Sequence, residues 1–289
     1  MGSDLELIVD GAIGASFLAE RAESLKKLVL SKTGKDARQL AISDPARFEQ
    51  VMRRICGSNA AVVFEEILER LFKYVLPGYD ISVYAMRCEK RGQYARMVKG
   101  YQKMADAGDM LFKMQNRDHV ACCFTSRVHH DLLVYSFMLR GLRNNQLNVL
   151  VVNSQEKREL ELLLSGCGID VASLVKSGRL LIMLHEELYG DDLGSSFEPV
   201  RKQLIKAQRL AKKTSGMNVI GTIAGNLAIR RQYERCAQIE KAWHELIPEF
   251  SVPITLLCPY PASTVTRAAK AGIVPSHNRG LVCEAHVHA

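Results

Sequence analysis

Residues Asp118 to Asn153 read DHVACCFTSRVHHDLLVYSFMLRGLRNNQLNVLVVN, and this stretch decides the fold. An apolar run (Val120 to Phe124), a polar turn, a helix-period segment (Leu132 to Leu142) and a second apolar run (Leu147 to Val152) make a β-α-β unit. In a nucleotide-binding protein of this architecture, the turn after the first strand carries the phosphate loop. Here that turn is Thr125-Ser126-Arg127-Val128-His129-His130, with neither glycine nor lysine. A P-loop needs G-x-x-x-x-G-K-[ST], because backbone amides and a lysine must neutralise the phosphates. No segment of the chain supplies it. Gly221-Thr-Ile-Ala-Gly225 lies at a strand end without lysine and reads as sheet-to-helix packing.

Working outward toward the carboxyl end, helix and strand patterns alternate. Gln155 to Leu164 reads as a helix, Arg179 to Leu184 as a strand, and Glu198 to Lys213 as a long helix. Asn218 to Ile223 reads as a strand, Leu227 to Ile247 as one helix, and Val252 to Cys258 as a strand entering Pro259-Tyr260-Pro261. Five short apolar runs separated by helices predict a mainly parallel sheet covered on both faces, since parallel strands need crossover connections and bury both sides. Ligands in such folds bind outside the carboxyl ends of the strands.

Upstream of the opening stretch the pattern is helical. Leu18, Ala22, Leu25 and Val29 recur at helical spacing before Gly34. Asp44 can cap a helix with Pro45 at its first position and Phe48, Val51, Met52 and Ile55 on one face. Gly57 stops it, and Ser58 can cap the next, whose stripe is Phe64, Ile67, Leu68, Leu71, Phe72 and Val75, ended by Pro77-Gly78. Two helices joined through Gly57-Ser58 suggest a helix-turn-helix on paper, but the second presents Glu65, Glu66 and Glu69, which repel phosphates. Residues 87–117 hold eight Lys or Arg against three acids. The domain reading is therefore 1–86 helical, for interaction or output; 87–117 a basic, partly helical connector; and 118–289 α/β.

The composition is that of a folded chain, 47% hydrophobic and 24% charged. No apolar segment approaches the roughly 20 residues that span a bilayer, and the acidic start lacks a secretory signature, so a cytoplasmic protein without membrane attachment is expected. The eight cysteines are scattered without a C-x-x-C pair and read as free thiols. The net charge of +8 invites nucleic acid as a partner, yet the basic excess is four on each side of the Arg117–Asp118 bond, with no concentration in one half. Nucleic acid is not the favoured partner.

Two resemblances sit on these residues. The segment ISDPARFEQVMRRICGSNAAVVFEEILERLFKYV resembles a small helical output domain of ammonia-oxidising archaea and their relatives, which implies a signalling module without chemistry of its own. Asp118-His119, Phe137-x-x-x-Gly141-Leu142, Ser177-Gly178-Arg179-Leu180, Leu188-Tyr189, the Gly216-to-Gly225 strand, Leu256-Leu257-Cys258-Pro259-Tyr260 and the late His277 resemble the MEDS domain over roughly residues 116 to 284. This sensory domain is named for methanogens, methylotrophs and a dichloromethane-responsive repressor. The resemblance implies a RecA/KaiC-like α/β fold without its phosphate loop, sensing small molecules proposed to be hydrocarbon derivatives. It also implies that His119, Cys258, Tyr260 and His277 line the ligand pocket. Where relatives often carry an acid after the fourth strand's glycine, this chain has Gly225-Asn226.

Three further groupings carry possible chemistry. Cys122 and Cys123, near His119, His129 and His130, allow a thiol nucleophile, but adjacent strand residues point oppositely, so at most one faces any site. Cys283, His286 and His288 do not have a recognised zinc spacing, and no metal ligand or cofactor motif is assigned. His185-Glu186-Glu187 follows a strand end and could sit at a pocket mouth. The expectation is a non-enzymatic sensory protein that binds a small molecule and passes the signal on through its helical domain, to a protein partner or by self-association. The alternatives are a nucleotide- or thiol-dependent enzyme and a nucleic-acid-binding regulator.

Overall fold

In a computed structural model, residues 2–75, 88–189, 197–265, 276–277 and 279–281 are described, and the chain divides into two compact units, Met1–Ala105 and Asp106–Ala289. The first unit holds α1 (Gly2–Ser16), α2 (Ala19–Thr33), α3 (Ala37–Ser43), α4 (Pro45–Cys56) and α5 (Ala60–Val75), and the apolar stripes of the sequence become α2, α4 and α5. Gly34 closes α2 at φ 72°, and the Asp44 carboxylate accepts from the Arg47 amide to start α4. Gly57–Asn59 forms a short 3-10 turn where a simple Ser58 cap was expected. The helices α1 and α3 carry no comparably clear stripe in sequence. The Pro77-Gly78 stop lies outside the described residues. α6 (Gln93–Phe112) follows.

Between α4 and the start of α6, one buried acid does the joining. Glu49 accepts from Arg53 Nε at 3.0 Å, from the Gly92 amide at 2.8 Å and from the Ala95 amide at 3.2 Å. Arg53 in turn donates to the Cys88 and Lys90 carbonyls and lies over the Phe64 ring.

The second unit is the α/β fold. β1 (His119–Phe124), α7 (Arg127–Arg143), β2 (Leu147–Val152), α8 (Ser154–Gly166), α9 (Val171–Lys176), β3 (Leu180–Leu184), α10 (His185–Tyr189) and α11 (Glu198–Ala211) come first. They are followed by β4 (Met217–Gly221), α12 (Ile223–Ile229), α13 (Tyr233–Leu246), β5 (Ile254–Pro261) and β6 (Arg279–Leu281). The strands run β3-β2-β4-β5-β1-β6, every neighbour parallel. β6 is a sixth strand beyond the five apolar runs of the sequence, too short to show as one. The single helix expected over Leu227 to Ile247 is two: the chain turns between α12 and α13 with Arg231 at φ 59°, which an uninterrupted helix cannot hold.

One sheet face carries Val149, Val151, Met217, Val219, Leu256 and Cys258 into a core with α11, α12 and α13. The other packs on α7, and there the burial is polar. Arg140 donates to Gln146, to Asn218 Oδ1 at 2.9 Å and to the Met114 carbonyl, while Asn218 donates to Asn148 and to the Phe137 carbonyl. Gly141 makes room for this network, since a Cβ there would lie 2.2 Å from Asn148 Oδ1. Every residue of this buried network finds a partner, but among the described residues Arg140 Nε and Asn148 Nδ2 are left without one.

Candidate functional site

The turn after β1 holds no phosphate cradle. Ser126 is the N-cap of α7, accepting from the His129 amide, and Arg127 is engaged by Asp131 and Glu159. A cleft of about 340 Å³ opens at the carboxyl ends of β1, β2, β4 and β5. Phe124, Leu160, Ile229, Pro259 and Pro261 give it apolar surface; Arg127, Asn153, Glu156, Thr222 and Asn226 give it polar groups. Glu156 joins β2 to β4 beneath it. It completes a capping box with Asn153 and accepts from Thr222 Oγ1 at 2.5 Å and from Asn226 Nδ2 at 2.9 Å. Asn226 therefore reaches a carboxylate supplied from α8. A Cβ on Gly225 would lie 2.3 Å from the Pro259 carbonyl, so this glycine serves close packing of α12 on β5.

His185 is buried behind the cleft, its Nε2 3.0 Å from the Val151 carbonyl. Burial pushes its imidazole below the usual range, against the opposing effect of Glu156. Glu186 accepts from the Ser154 amide, so Glu186 and His185 fasten the end of the edge strand β3 to that of β2.

The four residues His119, Cys258, Tyr260 and His277 come together at a second place, under α13. β1 lies beside β5 with His119 opposite Leu256 and Ala121 opposite Cys258, so His119, Cys258 and Tyr260 share one sheet face. His277, in the segment before β6, brings its ring to 4.1 Å from that of His119. All converge on Glu240 of α13. Its Oε2 is 3.0 Å from His119 Nε2, 3.2 Å from His277 Nε2 and 3.4 Å from Cys258 Sγ, and Tyr260 donates its hydroxyl to Oε1. The His119, Glu240 and His277 side chains are at most 2% exposed. None of these residues lines the cleft, yet Cys258 and Tyr260 alternate along β5 with its Pro259 and Pro261.

Electrostatics follow from burial and contact. Burial pushes the Glu240 carboxyl up, but hydrogen bonds from His119 and His277 outweigh it and hold the group below the usual carboxylate range. Burial lowers the His119 imidazole and raises the Cys258 thiol and Tyr260 phenol, the last two with Glu240 adding to the rise. Cys122 and Cys123 point to opposite faces as alternation requires, and burial raises the other inward thiol near the cluster, Cys236, to about 12. Sequence reasoning missed Glu240. Its signal was an acid within the apolar stripe Cys236, Ile239, Trp243 of one helix. The Cys283, His286 and His288 grouping lies outside the described residues.

The fold and site define an all-parallel α/β domain without a phosphate loop, with a mixed polar and apolar cleft and a buried His-Glu-Cys-Tyr cluster. The chain belongs to the MEDS family, described as the MEthanogen/methylotroph, DcmR Sensory domain, which matches residues 118–278. Searches of curated proteins and of solved structures found no significant match. No helix among the described residues is long and apolar enough to cross a membrane.

Proposed function

We propose that this is a non-enzymatic sensory protein. Its α/β unit binds a small, partly apolar organic molecule in the cleft at the strand ends, and its helical unit passes the state of that site to a protein partner or a second copy. The observation that supports this is the lining of the cleft: apolar side chains on one part, and polar side chains that already satisfy one another on the rest. A phosphate placed there meets Glu156 and Glu159, with Arg127 already paired to Asp131 and Glu159, whereas a neutral molecule gains from covering Phe124, Pro259, Pro261 and Ile229 without displacing a charge. That agrees with the hydrocarbon derivatives the family resemblance implies. Cys258 and Tyr260 alternate along β5 with the prolines of the cleft, His119 and His277 meet them on that sheet face, and on this reading the four form the part of the domain that feels occupancy of the cleft.

Thermal unfolding against a panel of short-chain alcohols, amines and halocarbons tests it, together with native mass spectrometry of freshly purified protein. Ile229 lines the cleft while its side chain is largely exposed, so Ile229→Glu should leave the fold intact. We expect at least one panel compound or a copurified molecule to raise the unfolding temperature of the wild type, and Ile229→Glu to abolish the rise. A panel without effect and no copurified molecule, or an undiminished rise in Ile229→Glu, rejects the assignment.

A further inference from the structure

We infer that His119, Glu240, Cys258 and His277 together bind one divalent transition-metal ion of the zinc class, at a site separate from the small-molecule cleft. One ligand atom from each of the four lies within 4.8 Å of those of the other three. With zinc bonds of about 2.0–2.3 Å, the edges of a tetrahedron of ligands measure about 3.3–3.8 Å. Of the separations around Glu240 Oε2, those of 3.0 and 3.2 Å fall just short of that range, while the 3.4 Å to Cys258 Sγ and the 3.4 Å between Cys258 Sγ and His119 Nε2 lie within it.

The pattern of contacts also differs from that of a set of paired hydrogen bonds. One carboxylate oxygen, with two lone pairs, is the near neighbour of three side chains, and two of those are near neighbours of each other. Atoms that crowd mutually in this way surround a common centre.

Charge and donor type point the same way. Two imidazole nitrogens, a thiolate and a carboxylate suit a borderline ion and not calcium or magnesium, which take oxygen. A divalent ion with one thiolate and one carboxylate is neutral overall, which a fully buried site favours. On binding, the Cys258 thiol gives its proton to solvent, His119 and His277 ligate through Nε2 as neutral imidazoles with the ring proton on Nδ1, and Glu240 ligates through Oε2. Tyr260 holds Oε1 and so fixes the carboxylate. Four protein ligands fill a tetrahedral shell, so the ion joins β1, α13, β5 and the segment before β6 and leaves no open position for hydrolytic chemistry.

The test uses the full chain, stripped of metal by chelation and titrated with Co2+ and then Zn2+. Expected are one equivalent per chain, a thiolate-to-cobalt charge-transfer band in the near ultraviolet, its displacement by zinc, and a raised unfolding temperature. Cys258→Ser should remove the band. His277→Ala, changed on a short segment outside the main core, should weaken zinc binding at least about tenfold, and Tyr260→Phe about 10- to 100-fold. Far-UV circular dichroism checks folding, and if Cys258→Ser does not fold, His277→Ala and Tyr260→Phe decide. No charge-transfer band in the folded wild type, a band that survives in folded Cys258→Ser, or wild-type affinity in His277→Ala overturns the inference. Ile229→Glu should bind the ion as the wild type does, so failure of the cleft and failure of the metal site are read separately.

Discussion

Glu240 shows how much a single position can carry: an acid on the buried stripe of α13, reached by side chains from two strands and from the segment before a third. Its charge is tolerated there only because donors surround it. His185 shows the converse, a base kept neutral by burial. In the unfolded chain a histidine titrates near about pH 6.5, so below that pH the unfolded state takes up a proton that the fold refuses. Stability that is present above about pH 6.5 is therefore lost as the pH falls toward the depressed folded value. The unfolding temperature should be level at neutral pH and decline on acidification, and His185→Gln should decline less steeply. His119, lowered for the same reason, contributes in the same direction, so the variant removes only part of the slope. An identical slope in both proteins would reject the role given to His185.

At the scale of elements, the helical unit depends on a link that propensity does not explain. Glu49 and Arg53 lie one turn apart on α4, and their partners are backbone groups between Cys88 and Ala95. Removing the carboxylate leaves the Arg53 guanidinium without its charge partner and the Gly92 and Ala95 amides without acceptors. Glu49→Ala should destabilise the unit by about 3 kcal/mol, in line with the loss of one member of a largely buried pair. Glu49→Gln, which keeps one acceptor oxygen, should fall between the two. Urea unfolding followed by circular dichroism measures this, and a midpoint unchanged in Glu49→Ala would show the link to be dispensable.

For the whole molecule, neither charge nor apolar exposure is concentrated in one unit. Leu7, Leu18 and Val62 of the helical unit, and Met110, Leu162 and Ile229 of the second, are each more than half exposed. Scattered apolar residues of this kind are ordinary on a monomer, and it is the proposed relay role that makes the helical unit the expected contact with a second copy. Light scattering at micromolar concentration should give a mass above that of one chain, and Val62→Lys should return it toward the monomer. A monomeric wild type would leave relay to a different protein as the surviving form of the proposal.

Periodicity determined the class of fold. The alternation of apolar runs and helices from Val120 to Cys258 permits little besides a covered parallel sheet, and the turn Thr125–His130 lacks the glycine and lysine of a P-loop. These are local properties, and one sequence displays them. The break at Arg231 and the strand β6 were not legible, because one rests on a single left-handed residue and the other on a partner strand more than 150 residues away. The cluster was legible in part: the family resemblance supplied His119, Cys258, Tyr260 and His277. Only the tertiary structure brought them around Glu240 and set them apart from the cleft, because their meeting depends on β1 pairing with β5 and on where α13 crosses that pair. No spacing along the chain encodes that.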